Sequence, residues 1–283
     1  MDEFLKMLET LLDVFEVGQS PQTFLILIGL AFARILSFLV IVPFFGGSAV
    51  PGRVKVATAT AFVLISYPAL AGDLPKGQPL PFGAVGFIAL LAKETLVGFT
   101  LGFVATLIFE AIQVAGRIID SQRGATMGEM FAPQLQTRVS EIGQFKVQFA
   151  IMLFLLIGAH RPFLAALVHS FEIIPALGFP KLVGGWSPML ASFVTLTGGV
   201  LAIGVQLAAP AMIALLLTDL FFGIINRVAP QINVFFLSLP VKMVVGLLVV
   251  LLALPLYKDR YIYYFGEAFK SFEQLIRSLG GAY

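Results

Sequence analysis

This sequence predicts an all-α, multi-span membrane protein whose long, broken hydrophobic helices fold into hairpins. Three observations carry that reading. Hydrophobic residues make up 59% of the 283 positions and charged residues only 12%, with a mean hydropathy of +0.97; soluble domains carry about 25% charged residues. A chain this apolar cannot cover its own surface in water, so lipid must solvate much of it. The apolar residues are gathered into about six runs, each near or above the ~20 residues that span a bilayer. Glycine- and proline-rich stretches separate the runs, as expected of turns.

The first twenty residues are acidic, with Asp2, Glu3, Glu9, Asp13 and Glu16 against Lys6. A cleavable signal peptide needs a positive leading region, so none is read here. Phe4, Leu5, Leu8, Leu11, Leu12 and Phe15 recur at helical spacing, which predicts an amphipathic segment over 1–20 that lies on the membrane or packs on a partner. The helical membrane domain follows over 21–258, and an amphipathic tail occupies 259–283.

Six spans are expected: 22–45, 54–71, 82–119, 145–169, 188–225 and 234–257. Two are too long for simple crossings. The third would reach roughly 55 Å as one helix, against a hydrocarbon core of about 30 Å. It must tilt, project from the membrane or break, with Gly98 and Gly102 as weak points. The fifth contains Pro210, which removes a helical hydrogen bond and favours a kink or a hairpin. Loop charge gives a conflict. The acidic N-terminus suits the outer side and the tail, with Lys258, Arg260, Lys270 and Arg277, suits the cytoplasm. Six crossings would put both ends on one side.

Ionisable groups inside membrane segments cost roughly 2.5–3.5 kcal/mol each and are functional candidates by default. Here they are Arg34, Lys93, Glu94, Glu110, Asp219 and Lys242. Lys93 and Glu94 are adjacent, so they are expected on different helix faces, each meeting another helix, a partner or a wet cavity. The bland reading is a buried ion pair or a snorkelling side chain.

Two stretches are dense in polar residues. Gly116-Arg117-Ile118-Ile119-Asp120-Ser121-Gln122-Arg123-Gly124-Ala125-Thr126-Met127-Gly128 reads as a flexible, hydrogen-bonding loop after the third span. Such backbone survives at membrane depth only when buried in protein or lining water; a solvated connector is the plain alternative. Asn226-Arg227-Val228-Ala229-Pro230-Gln231-Ile232-Asn233 reads as a capped corner where Pro230 ends the fifth helix.

Enzyme chemistry finds no foothold. With no cysteine, disulfides, thiolate metal sites and cysteine nucleophiles are excluded. His160 and His169 lack a carboxylate at ligand spacing, and neither nucleotide-binding glycine motif is present. The net charge of +2 is too small and too scattered for nucleic acid. No cofactor is expected. A small-solute secondary transporter using Lys93, Glu94, Glu110 and Asp219 is the alternative from another class, since broken helices and midplane carboxylates suit that mechanism.

The ordered motifs resemble a known family. Ala115 to Met127 is similar to the central motif of the type III secretion protein SctT and its flagellar counterpart FliR. Arg227, Pro230, Gln231 and Asn233, followed by Leu239-Pro240-Val241-Lys242, resemble that family's second signature. Lys93-Glu94 with Gly98, the Val50-Pro51-Gly52-Arg53-Val54-Lys55 turn and His169-Ser170 fall in the expected order. The likeness extends over about 25–255.

It implies one subunit of a helical export-gate assembly in the bacterial inner membrane, within a secretion or flagellar basal body. The implied partners are SctR/FliP-like and SctS/FliQ-like subunits, the SctU/FlhB-like switch protein, unfolded secretion substrates and membrane lipid. It also implies that the loop over 116–130 plugs the closed pore, with Gly116, Asp120, Gln122, Arg123, Gly124 and Met127 as plug residues. Arg227, Pro230, Gln231, Asn233, Pro240 and Lys242 form a structural or gating motif. Asp120 to Gly124 and Phe235 to Lys242 look more like the injectisome branch, which is favoured; the Val50–Lys55 turn looks flagellar. Ala132-Pro133 stands where the family usually has Asp-Pro.

Overall fold

The computed structural model describes residues 5–6, 21–45, 47, 50–71, 83–125, 140–179 and 187–280. All regular structure among them is helical. The helices are α1 Pro21–Ile41, α2 Gly52–Ala71, α3 Ala84–Gln122, α4 Glu141–Leu156, α5 His160–Ile173, α6 Ser187–Val228, α7 Val234–Leu252 and α8 Leu254–Gly280, with a single 3-10 turn at Pro43–Phe45. Apart from Leu5 and Lys6, the expected N-terminal amphipathic segment lies outside the described residues.

Four of these helices are long and apolar enough to cross a membrane, or five if the bent pair α4–α5 counts as one span. That corrects the six expected. α2 forms over the second run, but Arg53, Lys55, Thr58, Thr60 and Ser66 dilute its apolar character, and it is not among the candidates. The fourth run is not one helix: α4 and α5 are bent by 75°. Gly158 adopts φ 72, a conformation open to glycine and costly for other residues. Its N–H donates to Leu155 O at 3.1 Å and that of Ala159 to Phe154 O at 3.0 Å, the paired bonds of a Schellman stop.

The long runs stay intact. α3 is unbroken over 39 residues, about 58 Å at 1.5 Å per residue. Gly98 and Gly102 are not weak points in it. A Cβ at Gly98 would stand 2.1 Å from Arg34 O, and one at Gly102 3.1 Å from Phe38 O, so these glycines let α3 touch the backbone of α1. α6 passes through Pro210 as one helix. The sixth run does break, at Ala253, because Pro255 has no N–H for the preceding turn and suits the first turn of a new helix. α8 then runs on to Gly280.

Two compact units share these helices. One comprises Met1–Thr106, His160–Leu190 and Phe269–Tyr283, the other Leu107–Ala159 and Ala191–Ala268. In the first, α1 buries Leu27, Leu30, Ala31, Arg34, Ile35, Phe38 and Leu39, the 3–4 spacing of one helix face. Phe163 and Phe272 pack there with ring centroids 5.2 Å apart, and Phe38 meets Phe272 at 6.1 Å. In the second unit, Phe109, Phe154 and Phe265 form a cluster with centroids 5.0–5.9 Å apart. Around that core, Leu216, Leu217, Leu220, Phe221 and Ile224 on α6 and Val244, Leu247, Leu248 and Leu251 on α7 stay exposed. A face this apolar belongs against lipid or protein.

Candidate functional site

In the first unit, a buried charge cluster joins α1, α3 and the end of α5. Arg34 is fully buried. Its Nε and Nη2 donate to the two carboxylate oxygens of Glu94. Nη1 donates to Ser170 Oγ at 3.1 Å and Nη2 to Ile174 O at 2.8 Å, and the guanidinium lies 4.0 Å from the Phe171 ring centroid. The fork geometry of arginine suits this bidentate grip.

Lys93 and Glu94 do pair, against the expectation from their adjacency. The four-carbon lysine stem bends around the helix, which a rule about Cβ directions does not capture. Lys93 Nζ also donates to the carbonyls of Pro175, Ala176 and Gly178 at 2.9–3.0 Å. Two cations thus serve carbonyls at and just beyond the C-terminus of α5, where the helix dipole is negative. Both Glu94 oxygens are engaged, so the cluster offers no vacant carboxylate to a solute.

The second unit holds the first polar motif. Its start is not a loop: Gly116 to Gln122 are helical. Ile112, Ala115 and Ile119 are buried, and that apolar stripe extends the helix past the last hydrophobic run. The helix stops at Gly124, which has φ 83; Gly124 N–H donates to Ser121 O at 3.3 Å and Ala125 N–H to Asp120 O at 3.0 Å, a second Schellman stop. Gly116 is a contact point: a Cβ there would stand 2.1 Å from Gly143 Cα, so the backbones of α3 and α4 touch.

Asp120, only 4% exposed, closes this hairpin. One carboxylate oxygen accepts from Arg123 Nε at 2.7 Å. The other accepts from Ser140 Oγ at 2.5 Å and from the Ile142 N–H at 3.1 Å. Ser140 is the N-cap of α4, its Oγ accepting from Gly143 N–H at 3.0 Å. The carboxylate therefore sits at a helix N-terminus, where backbone donors and the dipole favour an anion. Arg123 Nη2 adds a 3.3 Å bond to Glu141. Met127 and the rest of the expected plug lie outside the described residues, while both flanks, at 120–125 and 140–143, are held together. Gln122 is half-buried on the last turn of α3.

The two motifs come together in space. A Cβ at Gly124 would stand 2.6 Å from Leu239 Cδ2, and one at Gly246 3.4 Å from Arg123 Cδ, so the hairpin base packs on α7. On α7, Lys242 pairs with Asp219 of α6. At the α6–α7 corner Asn233 is the N-cap, its Oδ1 accepting from Phe236 N–H at 3.5 Å. Pro230, Gln231 and Asn233 line a cleft of about 510 Å³ there. Arg227 and Pro240 are exposed. Glu110 is exposed on α3.

Sequence reasoning missed Lys146, which is 1% exposed. Its Nζ donates to Leu207 O at 3.1 Å and lies 4.0 Å from the Tyr257 ring centroid, tying α4 to α6 and α8. The signal was a lone lysine inside the Phe145–Leu156 apolar run. His169 also has a carboxylate partner after all, Glu172 at 2.8 Å. No group of three or more metal-ligating side chains occurs among the described residues.

The sequence matches the family described as bacterial export proteins, family 1, over residues 25–268. The chain belongs to that family. It is 30% identical over 262 residues to the flagellar biosynthetic protein FliR of Aquifex aeolicus, covering 92% of this chain and 97% of that protein. It is 34% identical over 194 residues to the Yop proteins translocation protein T of Yersinia pestis, covering 68% and 71%. It is 28% identical over 250 residues to the secretion system apparatus protein SsaT of Salmonella typhimurium, covering 87% and 93%. As a bacterial export protein of all-α, multi-span build, it works in a membrane-embedded export apparatus, consistent with its four long apolar helices.

Proposed function

We propose that this bacterial export protein is a passive gate subunit. It helps to form the inner-membrane pore through which unfolded substrates leave, and it supplies the segment that plugs that pore at rest. The observation that carries the reading is the clasp at Asp120, which ties both flanks of residues 126–139 to one point through Ser140, Ile142 N–H and Arg123. A plug needs a fixed base, and a buried carboxylate holding three donors is a strong one. The partners in this reading are the SctR/FliP-like and SctS/FliQ-like subunits and the SctU/FlhB-like switch protein. The protein performs no chemistry, and the driving energy comes from a partner ATPase and the proton-motive force. Relatives from both the flagellar and the injectisome branches match the chain; the genes beside its own, rod and hook or needle and secretin, decide between them.

The test removes residues 126–139, leaving the clasp in place, and measures ion conductance of membranes carrying the assembled complex. Raised resting conductance is expected. Unchanged conductance in a normally assembled complex rejects the plug. The solute-transporter alternative predicts coupled uptake by the lone chain in liposomes. The gate predicts none.

A further inference from the structure

Pro210 sits inside α6. It has no N–H to give to the carbonyl four residues back, that of Gln206, and its ring crowds that oxygen. A turn weakened in this way is a usual place for a helix to kink. α6 nonetheless runs from Ser187 to Val228 as one helix. Beside the weakened turn stands Lys146 of α4, whose Nζ donates to Leu207 O at 3.1 Å, one residue on from the carbonyl that the proline leaves bare. Prolines persist in apolar helices where a neighbouring helix re-satisfies the freed backbone groups. Here the neighbour brings an ammonium.

That ammonium is costly to keep. Lys146 is 1% exposed and makes no ion pair among the described residues. Its other neighbour is the Tyr257 ring, 4.0 Å away. Packing alone would be served better by an apolar side chain of the same length. The charge answers to the carbonyl.

The grip on α6 centres on this turn. A Cβ at Gly204 would stand 2.7 Å from Val114 Cγ1 and 3.2 Å from Ala111 O, so α3 touches α6 there. Tyr264 of α8 donates to Gln206 Oε1 at 2.6 Å. Three helices thus hold residues 204–207. Ala208, Ala211 and Leu215 are buried as well, but further on Leu216, Leu220 and Ile224 are exposed. From Pro210 to Val228 the helix forms a lever of about 27 Å. A bend of about 20° at the proline would move its end by about 9 Å. Such motion would not stay in α6. Asp219 pairs with Lys242 of α7, and Leu239 and Gly246 of α7 pack on Gly124 and Arg123 at the hairpin base.

We propose that Pro210 is a hinge in α6 and that Lys146 is the latch that holds it. Unlatched, the far half of α6 swings with α7 and disturbs the hairpin base. Hinge and latch stand on the contacts alone; their effect on conductance rests on the gate reading.

The test places Lys146→Met and Pro210→Ala, singly and together, in the full-length protein within intact export complexes. With Pro210 present, Lys146→Met is expected to shorten the half-life of thermal inactivation of the detergent-extracted complex about ten-fold, the scale of one hydrogen bond to a charged group. In the Pro210→Ala background the helix supplies its own N–H and the lysine is only a buried charge. Adding Lys146→Met there is expected to leave the half-life unchanged or to lengthen it. An equal loss in both backgrounds makes Lys146 ordinary packing and overturns the latch. If Lys146→Met complexes fail to assemble, rescue by Pro210→Ala supports the latch and absence of rescue overturns it.

The chain has no cysteine, so spin labels at L156C and I224C, both exposed positions, read the hinge without background. Wild type is expected to give one distance. Lys146→Met should add a second, displaced by about 7 Å, and Pro210→Ala should abolish it. A single unchanged distance in Lys146→Met overturns the hinge. Resting conductance is read on the same complexes. A second distance with raised conductance supports the whole proposal, whereas a second distance at wild-type conductance rejects the link to the hairpin base. Failure of the gate reading itself is seen separately, in the deletion of 126–139.

Discussion

Asp120 accepts a hydrogen bond from Ser140 across twenty residues of chain, at 2.5 Å, and so joins the last turn of α3 to the first of α4. The same carboxylate holds Arg123 and the Ile142 N–H. One buried side chain thus holds residues 120–123 against 140–142.

Asp120→Ala removes all three acceptor bonds and leaves Arg123 without its main partner. Hydrogen bonds to charged groups contribute about 1.5–3 kcal/mol each, with losses at one site not additive. The hairpin base is expected to loosen by a few kcal/mol while the rest of the helical scaffold persists. Resting conductance of the assembled complex should rise, and Asp120→Asn should give a smaller rise. Wild-type conductance in Asp120→Ala sinks the clasp.

Glu94 stands between Arg34 and Lys93. Glu94→Ala strands two buried cations, a defect of about 3–5 kcal/mol. Protein abundance in the membrane should collapse. The triple change Arg34→Met, Lys93→Met, Glu94→Leu, which removes every charge together, should retain more protein than Glu94→Ala alone. Quantitative immunoblotting of membranes compares them, and the reverse order refutes the pairing.

Gly116 and Gly198 make a matched pair for substitution. A Cβ at Gly116 meets Gly143 Cα at 2.1 Å, whereas one at Gly198 has nothing within 4 Å. Gly116→Ala should force α3 and α4 apart at a cost of about 1–3 kcal/mol. Gly198→Ala, inside α6, should gain up to about 1 kcal/mol of helix propensity. Thermal inactivation of the detergent-extracted complex reads both, and equal midpoints would contradict the backbone contact.

Tyr257 lies under Lys146, and its hydroxyl is buried without a partner. Tyr257→Phe keeps the ring beneath the ammonium and should leave stability unchanged or raise it; Tyr257→Leu should lose about 2 kcal/mol of a desolvated cation–π contact. Burial lifts the Tyr257 phenol from 10.0 to about 12, and it lifts Tyr261 further in the same direction, helped by the charge on Tyr257. The folded state holds these protons more tightly than the unfolded chain. The Tyr257 contribution to stability is therefore whole below pH 10.0 and lost as pH climbs through about 12, and that of Tyr261 persists to still higher pH. In the difference between wild type and Tyr257→Phe, phenolate absorbance should appear late and together with unfolding; a step near 10.0 in that difference would place the Tyr257 ring in water.

Much of the helical order was readable in the chain itself, because span length and apolar composition are local quantities. The third and fifth runs end within a few residues of α3 and α6, and the polar motifs led directly to the export family. Breaks were harder. Gly158 turns a continuous apolar run by 75°, whereas Pro210 leaves α6 whole. A lone glycine stops a helix only where the folded chain uses positive φ, and a proline is tolerated where surrounding packing supports its helix.

Composition and periodicity were enough to establish a lipid-solvated bundle of helices, since the free energy of burying an apolar run depends on the run alone. Pairing was not readable in that way. That Arg34 would find Glu94, that Asp120 would hold Ser140, and that Lys146 would lie buried beneath Tyr257 depended on helices distant in sequence arriving at one place. Electrostatic and hydrogen-bond energies fall away over a few ångströms, so only the packed chain assigns such partners.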